Sequence, residues 1–375
     1  MAKQGIFMLP PALNKENALN LMQLVAKVNL HIGEMRSEFQ HSIVSSQLLS
    51  MFSLNESVLS TRIEGTQVTF TDMIEHDKKR PTSWEQQEVL NYVEALNVGV
   101  KKLEAGEPIT TRFIKSLHTI LMQNARGTTA SEGNFRKIQN FIGPDKDIRH
   151  AVYIPVSAAD IDSYMENLEF FINGQRHSSF KNYPQEDNSF VLDEQSDPIL
   201  KIAIMHAQFE SIHPFLDGNG RMGRILIALL AVKLGLVNLP VFLVSEELEK
   251  ERARYYDLLN GIRGKSPDWY SWLHFFVTAS GRMAKRLLEK MHSANDLANV
   301  GLRRCKIESE RKIWLYSFRQ PVMTAPQVAQ NLGIAPGTAR KSLNSLSKMK
   351  LLYAEEGKRR NKKYRNYDLT HILAY

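Results

Sequence analysis

Twelve mid-chain residues, His213-Pro214-Phe215-Leu216-Asp217-Gly218-Asn219-Gly220-Arg221-Met222-Gly223-Arg224, have the types and spacing of a phosphate-handling loop. Three glycines let the backbone turn its N–H groups toward one point, and a helix starting there adds its positive N-terminal end. The guanidinium groups of Arg221 and Arg224 suit further phosphate oxygens. One carboxylate, Asp217, is enough for Mg²⁺, which takes much of its shell from phosphates and water. His213 stands just before the loop, where a neutral imidazole can take a proton from an incoming hydroxyl.

Gly218-x-Gly220-x-x-Gly223 also satisfies the dinucleotide pattern, but that fingerprint must follow a β-strand, and here a helical period precedes it. The chain has no G-x-x-x-x-G-K-[ST] run, which excludes a P-loop, and no paired-histidine spacing that would suggest zinc. His206 and His118 fall on apolar helix faces and read as hydrogen-bonded core residues. His150 reads as solvated.

The elements that must position this loop are mostly helical. Pro198 opens a helix whose Ile199, Ile202, Ala203, His206, Phe209 and Ile212 share one face, and a second helix with Ile225, Leu226, Leu229 and Leu230 inward follows the loop. Upstream, periodicity predicts helices around Leu19–Val28, Ile43–Ile63 (stopped by Gly65), Trp84–Leu103, Thr111–Met122 (capped by Thr110 or Thr111) and Ala159–Ile172. Downstream it predicts helices over Ser245–Arg263 and Trp269–Met291. Between Gly133 and Pro155, β-favouring residues flank the turn-like PDKD and predict a short hairpin. The acidic Tyr183–Asp197 segment predicts a surface loop. Near Asn299 the character shifts: Glu308–Phe318 is helical in pattern, then come helix, tight turn at Gly333, helix, and two strand-like runs around a basic turn. That order is the winged-helix pattern.

At 375 residues the chain is long for one core, and 43% hydrophobic with 23% charged residues is ordinary for a water-exposed globular protein. The longest apolar run, from Leu226, is interrupted by Lys233, so no membrane span is expected, and MAKQGIFMLPPAL at the start has no apolar stretch long enough to predict a signal peptide. A single cysteine, Cys305, excludes an internal disulfide and a cysteine metal cluster, and the reading is cytoplasmic. Net charge is +8, but Leu302–Tyr375 alone carries 16 basic and 5 acidic residues, leaving the remainder slightly acidic. A separate basic C-terminal module follows, one that could meet DNA through Arg340, Lys341 and the Lys358–Arg365 wing, or dock a protein or a second copy of the chain as a homodimer.

HPFLDGNGRMGR resembles the Fic signature H-P-F-x-[DE]-G-N-G-R-x-x-R at every fixed position, and the likeness extends from about Gly133 to Val277 through HAQFESI, EKERARYYDLLNGIR and WYSWLHFF. The resemblance implies a mainly α fold: a Fic-type helical bundle with a small β-hairpin flap, here followed by the winged helix. The divisions would be 1–100, 101–295 and 300–375. It implies protein adenylylation, AMP passing from ATP to a Ser, Thr or Tyr hydroxyl. His213 would be the general base and Asp217 the Mg²⁺ ligand. Gly218, Asn219, Gly220 and Arg221 would surround the α- and β-phosphates, with Arg224 at the γ-phosphate. Arg136–Pro155 would be the flap, its Ile142, Gly143, Pro144 and Asp145 lining the nucleotide and its edge aligning the target by strand addition. Tyr255 or Tyr256, with Asn260, would border adenine and ribose.

Ser60-Thr61-Arg62-Ile63-Glu64-Gly65 is similar to the family's inhibitory motif [ST]-x-x-x-E-[GN]. The resemblance implies that Glu64 pairs with Arg224 in the place of the γ-phosphate. A capping box, Thr61-x-x-Glu64, is the other reading, but it opens a helix, whereas glycine after Glu64 closes one. Two functions from different classes follow: an autoinhibited AMP transferase, and a winged-helix regulator or toxin–antitoxin-like switch whose Fic domain only senses nucleotide. The intact His213 favours the first. Related folds transfer phosphate, UMP or phosphocholine, and the Glu64 arrangement could also support AMP removal.

Overall fold

The computed structural model describes residues 2–76, 82–125, 132–145, 147–180, 188–357 and 361–374. In chain order the elements are β1 (Lys3–Gln4), β2 (Ala12–Asn14), α1 (Lys15–His41), α2 (Ser45–Ile63), α3 (Phe70–Glu75), α4 (Trp84–Glu104), α5 (Thr111–Met122), β3 (Tyr153–Ile154), α6 (Ile161–Ile172), β4 (Ser189–Val191), α7 (Pro198–Ile212) and α8 (Asn219–Lys233). Then come α9 (Ser245–Lys250), α10 (Arg252–Gly261), α11 (Trp269–Arg304), α12 (Glu308–Arg319), β5 (Val322–Thr324), α13 (Ala325–Leu332), α14 (Pro336–Lys348), β6 (Tyr353–Ala354), β7 (Lys363–Arg365) and α15 (Tyr367–Ala374). The fold is mainly α, as the periodicity predicts. Among the described residues no helix is long and apolar enough to cross a membrane.

The chain forms two compact units, Met1–Ile32 with Leu59–Gln67 and Ser83–Ala284, and Gly33–Val58 with Val68–Thr82 and Lys285–Tyr375. In the first, α7 and α8 pack on each other and form the centre, with α4 and α6 on either side. Residues 199–212 of α7 are all buried, and so are most of those in α8. Asp197 caps α7 by accepting from the Ile199 N–H (2.8 Å), and Pro198 takes the first turn, where no N–H is needed. Thr110, not Thr111, caps α5, accepting from the Phe113 N–H.

Several expectations are corrected. The hairpin over Arg136–Pro155 is reduced to one antiparallel bridge, Ile142 to Tyr153, and Ile148–His150 forms a 3₁₀ turn where PDKD was expected to end in strand. β3 also pairs in parallel with β1, so the N-terminal residues cover one side of that strand. The expected Tyr183–Asp197 loop contains β4, antiparallel to β2, while its residues 183–187 lie outside the described residues. Ser245–Arg263 is two helices, broken at Glu251, whose backbone (φ −113°, ψ 35°) leaves the helical region. The first helix runs on to His41, and α11 runs to Arg304, through the point at which the sequence changes character. Periodicity underestimates both because Glu, Lys, Arg and Asn extend a helix without marking a face.

In the second unit, α12 packs with α13 and α14 beside a three-stranded sheet of order β5-β7-β6, antiparallel throughout. Gly333 takes the left-handed conformation (φ 62°) between α13 and α14, as the turn requires. Trp314 is fully buried, its indole N–H donating to the Ala298 carbonyl, and Gly301 leaves room for its ring.

Candidate active site

α7 ends in His213, which adopts the left-handed conformation (φ 49°, ψ 60°) and so turns the chain sharply into the loop. Gly218 (φ 77°) makes the second turn and starts α8, and a side chain there would collide with Met122 Sδ at 2.7 Å. Between them the loop is tied to itself and to its surroundings. Asn219 accepts from the Phe215 N–H and donates to the Phe215 carbonyl, both at 2.9 Å. Phe215 is buried and stacks on His118, with ring centroids 3.6 Å apart. Because the Gly133 N–H donates to His118 Nδ1, the His118 proton is on Nε2, which donates to the Asp217 carbonyl (3.0 Å). Burial pushes the His118 pKa down to about 4, consistent with that neutral form. His118 is thus core, as expected, but its role is to hold the loop.

Arg136 anchors the segment that leads toward Ile142. Its guanidinium donates to the carbonyls of His213, Ile138, Val156 and Ile212, and its own N–H donates to the Pro214 carbonyl (2.9 Å). One side chain therefore fixes the loop's start against Val156. No sequence signal marked it.

The His213 imidazole has a defined tautomer. Nδ1 lies 3.3 Å from the Glu210 carbonyl oxygen, which can only accept, so Nδ1 carries the proton and Nε2 keeps its lone pair. Burial, then the positive charge of Arg263, push the His213 pKa down to about 4. Arg263 sits behind it, donating to Ser211 Oγ (3.2 Å) and the Glu210 carbonyl, and stacked over the Tyr153 ring.

At the other end of the loop Arg224 is 1% exposed and held by the end of α2. Its Nε donates to Ser60 Oγ (2.8 Å), and its Nη2 donates to the Ser60 carbonyl (3.0 Å) and to Glu64 Oε1 (2.6 Å). α2 stops at Ile63, and Gly65 follows Glu64 with φ 100°, so a helix end and not a capping box forms here. A Cβ on Gly220 would come within 2.2 Å of Glu64 Oε1, which places this carboxylate over the first turn of α8. That is a position for an anion, facing backbone N–H groups and a guanidinium. Burial raises the Glu64 pKa, but the Arg224 and Arg221 charges and the Arg224 hydrogen bond outweigh it, so the carboxyl lies below its ordinary value.

Asp217 is exposed, with Oδ1 accepting from the Gly218 N–H (2.6 Å) and lying 3.7 Å from Arg221 Nη2. No group of three or more His, Cys, Asp or Glu side chains that could hold a metal occurs among the described residues. A lone exposed carboxylate beside a phosphate-type loop suits Mg²⁺ shared with phosphates and water, and not a protein-made cage.

The remaining expected residues are less close together. Tyr256 donates to the Ile63 carbonyl (3.4 Å) and stands near Glu64. Tyr255 is buried, its hydroxyl bonded to His206 Nε2 (2.9 Å) in a cluster with Trp272. The Asn260 carbonyl accepts from Lys3 Nζ (2.8 Å), and its Oδ1 is buried with no hydrogen bond among the described residues. Gly143, Pro144 and Asp145 are exposed, and Asp145 pairs with the exposed His150 (2.8 Å). In the basic C-terminal segment, Arg340 and Lys341 are exposed on α14, residues 358–360 lie outside the described residues, and Lys363 and Arg365 are both taken by Glu75 of α3.

Comparison with known proteins matches residues 108–231 to the model described as Fic/DOC family and residues 22–101 to the one described as Fic/DOC family N-terminal, together more than half the chain. The chain is 26% identical over 160 residues to protein adenylyltransferase Fic of Drosophila grimshawi, and 27% identical over the same length to that of Drosophila virilis. Each match covers 43% of this chain and 26% of the relative, so only about a quarter of those proteins is represented. Among solved structures, a Fic family protein from Desulfovibrio desulfuricans G20 is similar with a TM-score of 0.52 and 20% identity, over 92% of this chain and 95% of that one. A Fic domain containing signaling protein from Bacteroides thetaiotaomicron VPI-5482 is similar with a TM-score of 0.52 and 17% identity, over 71% of this chain and 98% of that one. At such identities the likeness is one of fold.

Proposed function

This chain belongs to the Fic/DOC family, and from that premise we propose that it transfers AMP from ATP to a Ser, Thr or Tyr hydroxyl of a target protein or of itself, and that Glu64 holds it at rest. The observation that carries the reading is the His213 tautomer: its Nδ1–H is engaged by the Glu210 carbonyl, leaving Nε2 as a base beside an anion-binding turn. A group that only sensed nucleotide would need no such base.

In this mechanism His213 Nε2 accepts the proton of the target hydroxyl as its oxygen bonds to the α-phosphorus, and the bond from that phosphorus to the α–β bridging oxygen breaks, releasing pyrophosphate. The N–H groups of Asn219 and Gly220 at the N-terminus of α8, with Arg221, stabilise charge on the phosphates. Asp217 would hold Mg²⁺, which when bound neutralises phosphate charge. The rest is positioning, which the Asn219, His118 and Arg136 hydrogen bonds supply.

Glu64 opposes this by occupying the anion position over Gly220 and satisfying Arg224, which the γ-phosphate would otherwise need. A triphosphate then binds without its terminal anchor. The curated relatives named protein adenylyltransferase support the same chemistry.

The C-terminal unit, with its helix–turn–helix and β6–β7 pair, supports a winged-helix reading with DNA as ligand, through the exposed Arg340 and Lys341. Glu75 on Lys363 and Arg365 weighs against the wing as its main phosphate contact. The deciding experiment supplies ATP labelled at either the α- or the γ-phosphate to the parent, Glu64→Gly and His213→Ala proteins. Transfer of α-label that His213→Ala abolishes supports the reading; transfer of γ-label would make the protein a kinase and refute it.

A further inference from the structure

A carboxylate stands where α4 should be apolar. Glu88 lies on the stripe of Tyr92, Ala95 and Gly99, the buried face of the helix, and is itself 6% exposed. Taking a carboxylate out of water costs several kcal/mol, and an apolar residue of similar volume would usually hold such a stripe at least as well. Packing therefore gives no reason for it. Its Oε1 lies 3.2 Å from Arg221 Nη1, and the two side chains are 7% and 4% exposed.

Arg221 is neutralised but not satisfied. Among the described residues its Nε and Nη1 make no well-aligned hydrogen bond, and its Nη2 meets only Met122 Sδ at 3.8 Å and Asp217 Oδ1 at 3.7 Å. Buried guanidinium N–H groups without acceptors are costly, which points to a ligand oxygen as their missing partner. The platform under Glu88 is fixed, since Asn91, one turn on, donates to the Leu121 and Gln123 carbonyls at the end of α5.

We propose that Glu88 is a positioning residue: from α4 it holds the Arg221 guanidinium in place by charge, so that the remaining N–H groups are aimed at a phosphate oxygen as charge develops there. This rests on the AMP-transfer reading above. Losing Glu88 then leaves nucleotide binding largely intact, because the glycine turn and Arg224 remain, and slows the chemical step.

The test uses the full chain in the Glu64→Gly background, with α-label transfer expressed per nucleotide-binding site counted by titration calorimetry. The isosteric Glu88→Gln is compared with Glu247→Gln, which breaks the ion pair of the buried Glu247 to the partly exposed Arg282 (2.8 Å), remote from these residues in sequence. Glu88→Gln is expected to lower kcat about tenfold while KM for ATP moves less than about threefold, the pattern of an interaction made in the transition state. Glu247→Gln is expected to lower only the melting temperature. A kcat for Glu88→Gln within threefold of its parent, an equal kcat loss in both variants, or a tenfold rise in KM at unchanged kcat would each overturn the proposal. Failure of the Glu64→Gly parent to transfer α-label would sink the AMP-transfer reading instead.

Discussion

Arg224 and Glu64 share one hydrogen bond but not one environment: the arginine side chain is 1% exposed, the glutamate 36%. Arg224 is also held by Ser60, so of the two partners Glu64 is the one able to leave. On the proposed reading, removing Glu64 frees an anion site that is already built. A charge-assisted hydrogen bond contributes about 1.5–3 kcal/mol, roughly ten- to a hundredfold. Glu64→Gly should therefore raise auto-adenylylation by about that factor. Equal labelling of mutant and parent at matched concentration would remove the inhibitory role.

His213 should titrate far below a solvated histidine. Its folded pKa of about 4 lies under the ordinary 6.5, so the ring stays neutral and able to accept a proton from pH 8 down to about pH 5. Lowering the pH through 6.5 protonates the unfolded chain first, so this group favours unfolding as pH falls from 6.5 toward 4. Nuclear magnetic resonance of the ring protons, assigned with His213→Ala, should give a midpoint near 4. A midpoint near 6.5 would mean that the ring is solvated.

Asn219 is expected to matter for the loop before any nucleotide arrives. Asn219→Ala strands the buried Phe215 N–H and leaves the Phe215 carbonyl only a long bond from Asn140 Nδ2 (3.5 Å), and a buried group left unpaired costs about 1–3 kcal/mol. Urea unfolding should register a loss of about 2 kcal/mol or more. A loss below about 0.5 kcal/mol would show that the loop repacks.

Glu75→Gln should release Lys363 and Arg365 if the C-terminal unit binds DNA. Affinity for mixed-sequence duplex DNA, read by fluorescence anisotropy, should then rise a few-fold with a steeper dependence on salt. Unchanged affinity and salt slope would place DNA elsewhere or nowhere on this strand.

The loop and the helices around it were legible because their signals are local: glycine spacing, a proline at the start of α7, a 3.6-residue period. Glu64 was legible through a motif, and the structure brings it onto Arg224; the two bonds from Arg224 to Ser60 had no counterpart in the sequence reading. The β1–β3 pairing was not, since it joins residues 150 positions apart and two-residue strands leave no alternation to read. Arg136 was invisible because it spends its donors on backbone carbonyls, which carry no sequence mark. Glu88 did leave a trace, a charge on an apolar stripe, but only the position of Arg221 gives that trace meaning.

The chain order of the Glu64–Arg224 pair has a consequence for how the protein is made. Glu64 precedes Arg224 by 160 residues, so at about 5–20 residues per second the ribosome delivers it some 8–30 s earlier. The carboxylate is thus present at the first moment the phosphate loop can close. On the proposed reading, no nascent chain passes through an uninhibited state on its way to the folded one, and a new copy must be switched on before it can modify anything.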